Sequence, residues 1–193
     1  MTRTETPTDR MPEIPAGSLS EAQAAAAEAF RAERGVPVFG PFVPLLRSPE
    51  LMLCASRMGL YLRYGSALPL RISEFAILIV ARLWNQQVEW HIHHPIALKA
   101  GVAPETAQAL AEGRRPGSMS ADEALAYAFS TELQHNRAVS EATYAAVVDR
   151  FGEQGAIDLT GINGYYALLA MTMNVARTAL PEGASTPLPP LVP

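Results

Sequence analysis

Three of the four histidines of the chain, His91, His93 and His94, stand almost side by side inside the segment 85–97. Glu89 precedes His93 by four positions. On a helix the two share one face, about 6 Å apart along the axis. A carboxylate so placed orients and polarises an imidazole, which is the requirement of general acid–base chemistry. Gln86, three positions before Glu89, extends the same face. His91 falls on another side, and His94 is turned by about 100° from His93, so the histidines do not form one cluster by themselves. Pro95 cannot donate to the carbonyl of His91. That freed carbonyl is either a polar spot in a pocket beside His93 or the mark of a packing kink.

A second carboxylate, Glu74, sits in the most apolar stretch of the chain, among Ile72, Phe75, Ile77 and Leu78. Burial without partners is costly. Arg71, Arg82 and the groups around His93 are its candidate partners. Glu74 is either a proton relay to the imidazole, with its pKa raised by desolvation, or an early-turn residue stabilised by the helix N-terminus. A metal site built from Glu89, His93 and His135 is the weaker reading, because no His-Glu-x-x-His pair is present. Trp84 and Trp90 flank the junction between the two central helices and are expected to wall the site. Tyr165 or Tyr166 is expected to line a pocket, Tyr61 and Tyr64 to pack at a helix surface, and Asn163 and Asn174 to act as caps or cross-helix bonds. Cys54, between Leu53 and Ala55, reads as a small buried hydrophobe.

These residues need helices to position them, and the sequence supplies helices nearly throughout. Alanine, the best helix former, occurs 32 times. Helices are expected over 19–34, capped by Ser18 or Ser20 and ended by Gly35, and over 49–64 after Pro49. The segment 36–48, with Pro37, Gly40, Pro41 and Pro44 among Phe39, Phe42, Leu45 and Leu46, reads as extended and lying on the body. Helices follow over 70–84, apolar on nearly every side and therefore central, 86–100, 104–112 and 120–135, the last opened by a Ser120–Glu123 capping box. The next is expected from Ser140 to about Phe151, with one or two more over 152–177. No stretch alternates as a strand would. The fold class is all-α, in one domain over 19–178. Segments 1–18 and 179–193, which hold eight of the 16 prolines, read as flexible.

Composition narrows the function classes. Of the 193 residues, 49% are hydrophobic and 18% charged, and the formal net charge is -4. That is enough apolar material for a core, with no whole-chain electrostatic case for nucleic acid. One cysteine excludes an internal disulfide and a redox pair within the chain. The apolar run 75–81, closed by Arg82, falls far short of the roughly 20 residues a spanning helix requires. No basic start precedes an apolar block at the N-terminus, so no secretory signal, no membrane and a cytoplasmic location are the expectations.

The segment 70–102 resembles the carboxymuconolactone decarboxylase family, of the alkylhydroperoxidase D-like superfamily. The resemblance is carried by Leu70-Arg71-Ile72-Ser73-Glu74, Val80-Ala81-Arg82, Glu89-Trp90-His91-Ile92-His93, Pro95-Ile96-Ala97 and Ala100-Gly101. Val139-Ser140-Glu141-Ala142-Thr143-Tyr144 and Tyr165-Tyr166-Ala167-Leu168-Leu169 look like the family's later helices, and the likeness extends over about 35–178. It implies an alkylhydroperoxidase D-like helical bundle around an antiparallel helix pair, here with an N-terminal helical extension, and a homo-oligomer: a trimer or hexamer, or a dimer. In the thiol-peroxidase branch a Cys-x-x-Cys pair lies between an upstream Glu and a downstream His. Glu74 and His93 match that Glu and His, but the cysteine places fall on Gln86 and Glu89, which have no thiolate to oxidise.

The decarboxylase branch is the closer one. The resemblance implies a cofactor-independent decarboxylase or isomerase of a small carboxylated lactone or a related aromatic-catabolic acid. His93, helped by Glu89, would move a proton on and off carbon, and Glu74 would relay charge or fix His93. Arg71 or Arg82 would hold a substrate carboxylate, with Gln86, Trp90 and Tyr165 lining the substrate. No metal or organic cofactor is implied. Two rival readings are a peroxidase-like oxidoreductase using Cys54 with an external thiol, and a non-catalytic oligomeric ligand-binding protein.

Overall fold

A computed structural model of the chain describes residues 9–184 and 187–189. Among them the secondary structure is wholly helical: α1 (Glu21–Arg34), α2 (Phe42–Leu45), α3 (Pro49–Tyr64), α4 (Leu70–Leu83), α5 (Gln87–Lys99), α6 (Pro104–Ala111), α7 (Ala121–Asn136) and α8 (Glu141–Ala176), after a 3-10 turn at Ala16–Ser18. Starts and stops follow local chemistry. The Ser20 and Ser120 hydroxyls each accept from the backbone N–H three residues on, and the Gln23 and Glu123 side chains return the bond, closing two capping boxes. Gly35, at φ 73°, ends α1 in the left-handed conformation that only glycine adopts without strain. Gly152 breaks α8 at φ 74°, ψ 171°, so α8 is two helices meeting at a kink: the first ends near Phe151 as expected, and one helix follows where one or two were expected.

The segment 36–48 is not wholly extended. One helical turn, α2, forms inside it. Pro41 and Pro44 sit at and near its start, where a missing N–H leaves no bond unmade. The turn presses Phe42, Leu45 and Leu46 into the core. Phe30 and Phe42 pack with ring centroids 4.7 Å apart, which fastens α1 and α2 to one another over α3.

α4 is the core of the molecule. Its residues from Ile72 to Arg82 are all buried, and α3, α5, α6, α7 and α8 all pack on it. A helix apolar on every side can be buried on every side, as its sequence requires. Only Trp84, Asn85 and Gln86 separate α4 from α5. Asn85 makes the reversal at φ 47°, a conformation asparagine tolerates better than most residues. Asn174 of α8 bonds both sides of this turn, donating to Trp84 O at 3.1 Å and accepting from Gln86 Nε2 at 2.9 Å. Asn163, fully buried, donates to Ser130 Oγ of α7 and to Leu159 O, both at 2.9 Å. Both asparagines are thus cross-helix bonds.

Parts of the two terminal segments, 1–8, 185–186 and 190–193, lie outside the described residues. The rest is tied to the body. Arg10 N donates to Ala176 O at 2.7 Å, and Arg47 donates to Met11 O and Pro12 O. Leu188 is buried, and its backbone N–H and C=O are both bonded by the Gln87 side-chain amide, at 2.9 and 3.0 Å. No helix among the described residues is long and apolar enough to cross a membrane.

Candidate functional site

Because α4 and α5 double back on each other, Glu74 meets His93 across the pair. His93 Nδ1 donates to Glu74 Oε2 at 2.7 Å. Glu74 is completely buried, and its other oxygen accepts from Arg63 Nε of α3 at 3.3 Å. Glu74 lies beyond the first turn of α4, so its partners are the His93 imidazole and the Arg63 guanidinium and not the helix N-terminus. With Nδ1 held by the carboxylate, Nε2 is the ring nitrogen left for other work. The Tyr166 ring stands edge-on to the imidazole, centroids 5.1 Å apart, and limits its rotation.

Glu89 is placed very differently. It is 2% exposed, and neither carboxylate oxygen has a hydrogen-bond partner among the described residues. Desolvation pushes its pKa well above the ordinary 4.5, so the side chain holds a proton where a free carboxylate has lost one. Glu89 and His93 open into the same narrow cavity of about 50 Å³, which reaches about 460 Å³ of free space when its mouth is counted. Tyr165 and Tyr166 of α8 line it as well. Burial pushes the Tyr165 phenol up to about 12 and Tyr166 well above 10, so both are neutral hydroxyls at physiological pH.

The remaining walls come from the N-terminal half. α3 presents Ser56, Gly59 and Arg63 on one face, and Gly59 and Arg63 line the cavity. A side chain at position 59 would overlap Tyr165 Oη and stand 3.1 Å from Arg34 Nη2. Glycine there lets the Tyr165 phenol and the Arg34 guanidinium lie directly against α3. Arg34, the last residue of α1, and Phe39, Pro41 and Phe42 close the other side. Arg34 donates through Nε to Ser56 Oγ at 2.8 Å and through Nη2 to Ser56 O at 2.7 Å.

Of the residues singled out from the sequence, Glu74, Glu89, His93 and Tyr165 come together here. Four others do not. Arg71 reaches α7 instead, donating to Ser120 Oγ at 3.3 Å with Glu123 at 4.0 Å. Arg82 donates to Asn85 Oδ1 and Pro189 O, at 3.0 and 2.8 Å. Gln86 caps α5, accepting from Val88 N at 2.8 Å. Trp90 is buried in the core, stacked on His94 with centroids 5.7 Å apart. None of the four lines the cavity, and neither does Trp84. Cys54, expected to be buried, is exposed, because the buried positions of α3 are Met52, Ala55, Ser56, Gly59 and Leu62 and 54 falls on the opposite side. It too lies off the cavity lining. His135 is exposed on α7 and bonds Thr131 O at 2.9 Å. Among the described residues no three His, Cys, Asp or Glu side chains gather where they could hold a metal ion. His91 and Pro95 are exposed, and neither lines this cavity.

Sequence reasoning did not find Arg34, Gly59 or Arg63. The small residues Ser56 and Gly59 at helical spacing before Arg63 were the available signal. No family model and no curated protein matches the chain.

Proposed function

We propose that this protein is a cofactor-independent decarboxylase or isomerase of a small carboxylated lactone or a related acid, built on the alkylhydroperoxidase D-like plan and acting as a homo-oligomer. The observation that carries the reading is one cavity with two kinds of proton-handling group. His93 is held through Nδ1 by a buried carboxylate, and Glu89 is buried, unpartnered and shifted toward its neutral form. A carboxyl held neutral beside a carboxylate-oriented imidazole is a usual basis for donor and proton-transfer roles.

In this mechanism the bond to the departing carboxylate breaks and its electron pair passes into the lactone enone, giving a dienolate and carbon dioxide. The Glu89 carboxyl donates a hydrogen bond to the developing oxyanion. His93 delivers a proton to carbon through Nε2 and regains one from water. Glu74 keeps the ring oriented and stabilises its cationic form. The electron pair ends in a carbon–hydrogen bond, so the balance needs no oxidant or reductant. The thiol-peroxidase alternative is not favoured, since the lone Cys54 does not line this cavity.

The test is a panel of enone lactone acids assayed for carbon dioxide release. Turnover by the wild type is expected, with at least a hundredfold loss in His93→Gln while its circular dichroism is unchanged. Undiminished turnover in that variant would remove His93 from the mechanism.

A further inference from the structure

Neither arginine expected to hold a substrate carboxylate reaches the cavity, yet two others do. Among the described residues Arg63 uses only Nε, toward Glu74, and both of its terminal nitrogens are without a hydrogen bond. Arg34 uses Nε and Nη2 toward Ser56, the Tyr165 phenol lies against the same guanidinium, and no described residue accepts a hydrogen bond from Nη1. Both side chains line the cavity into which the unpartnered Glu89 opens. The flat guanidinium of Arg34 is held over the rings of Phe42 and Phe30, 4.7 and 5.3 Å from their centroids. The Ser56 bonds fix its other edge. Such a group loses little freedom when an anion arrives.

We infer that Arg34 and Arg63 form a carboxylate-binding subsite that the N-terminal extension completes, so that the ligand is a small acid carrying a carboxylate besides the one that departs, held between the two guanidiniums. The inference rests on the acid–base reading above for the identity of the reacting groups, and on geometry for the anion. The titratable side chains lining the cavity are Arg34, Arg63, Glu89, His93, Tyr165 and Tyr166, with Glu74 behind Arg63 and His93. Glu74 bonds both Arg63 and His93, and Glu89 is buried where its neutral form is favoured. Glu33 lies farther out, accepting from Ser56 Oγ at 3.1 Å. One incoming carboxylate therefore finds an excess of donors: open guanidinium nitrogens, and the Glu89 hydroxyl and Tyr165 phenol beside them. A neutral ligand would bring no negative charge to Nη1 of Arg34 and the two terminal nitrogens of Arg63. The narrowness of the cavity suits a flat acid of few atoms.

The probe is 5-oxotetrahydrofuran-2-carboxylate, a saturated lactone acid with no enone to take up electrons, compared with its methyl ester by isothermal titration on the full chain. The acid is expected to bind at least tenfold more tightly than the ester. Arg34→Gln is expected to abolish that preference, Arg34→Lys to leave part of it, and His93→Gln to keep it. Equal binding of acid and ester, no binding of either, or an acid preference that survives in folded Arg34→Gln would each overturn the subsite. Should Arg34→Gln fail to fold, the wild-type comparison of acid with ester and the Arg34→Lys variant still decide. Failure of the catalytic reading is separable: acid-selective binding without turnover of any enone lactone would sink the decarboxylase and leave the subsite standing. Turnover with KM unchanged in Arg34→Gln would do the reverse.

Discussion

Glu74 and Glu89 are both sealed from solvent, one on each helix of the central pair, and they have opposite surroundings. The α4 carboxylate accepts from His93 and Arg63. The α5 carboxylate, one helical turn from that same histidine, has no partner at all among the described residues. A buried carboxylate bonded on both oxygens, by an imidazole and a guanidinium, holds a geometry in place. One without neighbours is a cost to folding, and such a cost persists where a site must keep a group unmatched until a ligand arrives. The arginines divide in the same way. Arg71 reaches α7 and Arg82 the Asn85 turn and Pro189, both away from the cavity, whereas Arg34 and Arg63 line it.

The largest expected effect comes from removing the satisfied carboxylate. Glu74→Ala leaves Arg63 and His93 without their acceptor, and should cost about 3–5 kcal/mol in urea unfolding, the loss typical of breaking a buried charge pair. A cost below about 1 kcal/mol would mean that the two carboxylates do not differ as described. Removing the unmatched one should act in the opposite direction. Glu89 holds its proton in the folded chain where the unfolded chain, with an ordinary value near 4.5, has lost it. Between those two values the folded state binds more protons than the unfolded state, so stability falls as pH rises. Below 4.5 both states are protonated and the pH-dependent part of the penalty is absent. Glu89→Leu should therefore gain about 1–3 kcal/mol at pH 8, gain less at pH 4, and lose turnover. Equal gains at the two pH values would show that Glu89 does not titrate differently on folding. The smallest effect belongs to the exposed thiol. Cys54→Ser should stay within about 0.5 kcal/mol of the wild type with turnover unchanged, and lost turnover would move the chemistry to α3.

Much of the α4–α5 pair was legible from residue types alone. The long apolar run made α4 central, the four-residue spacing put Glu89 and His93 on one face, and a lone acid among isoleucines and leucines required a partner. The arginines were misassigned because nearness in sequence stood in for nearness in space. Arg71 lies one turn from Glu74, but it starts a helix whose first turn faces α7, and Arg82 lies at the other end, beside the Asn85 reversal. Arg34 and Arg63 sit on two helices well upstream, each at or near its helix end, with no spacing rule connecting them to α5. Only the packing of α1 on α3 and of α3 on α4 brings them to the imidazole. Cys54 was recoverable: the period set by Met52, Ala55, Ser56 and Gly59 already turns position 54 outward.

The wall formed by Arg34, Phe39, Pro41 and Phe42 bears on how this protein can be handled. Trimming the chain to its central helices would keep every proton-bearing residue of the site and still discard one side of the chamber. Imidazole and acid would then stand in bulk water, where a carboxyl group returns to ordinary behaviour and weak acids are no longer discriminated. Residues 34–42, upstream of the central helix pair, supply that side of the cavity wall.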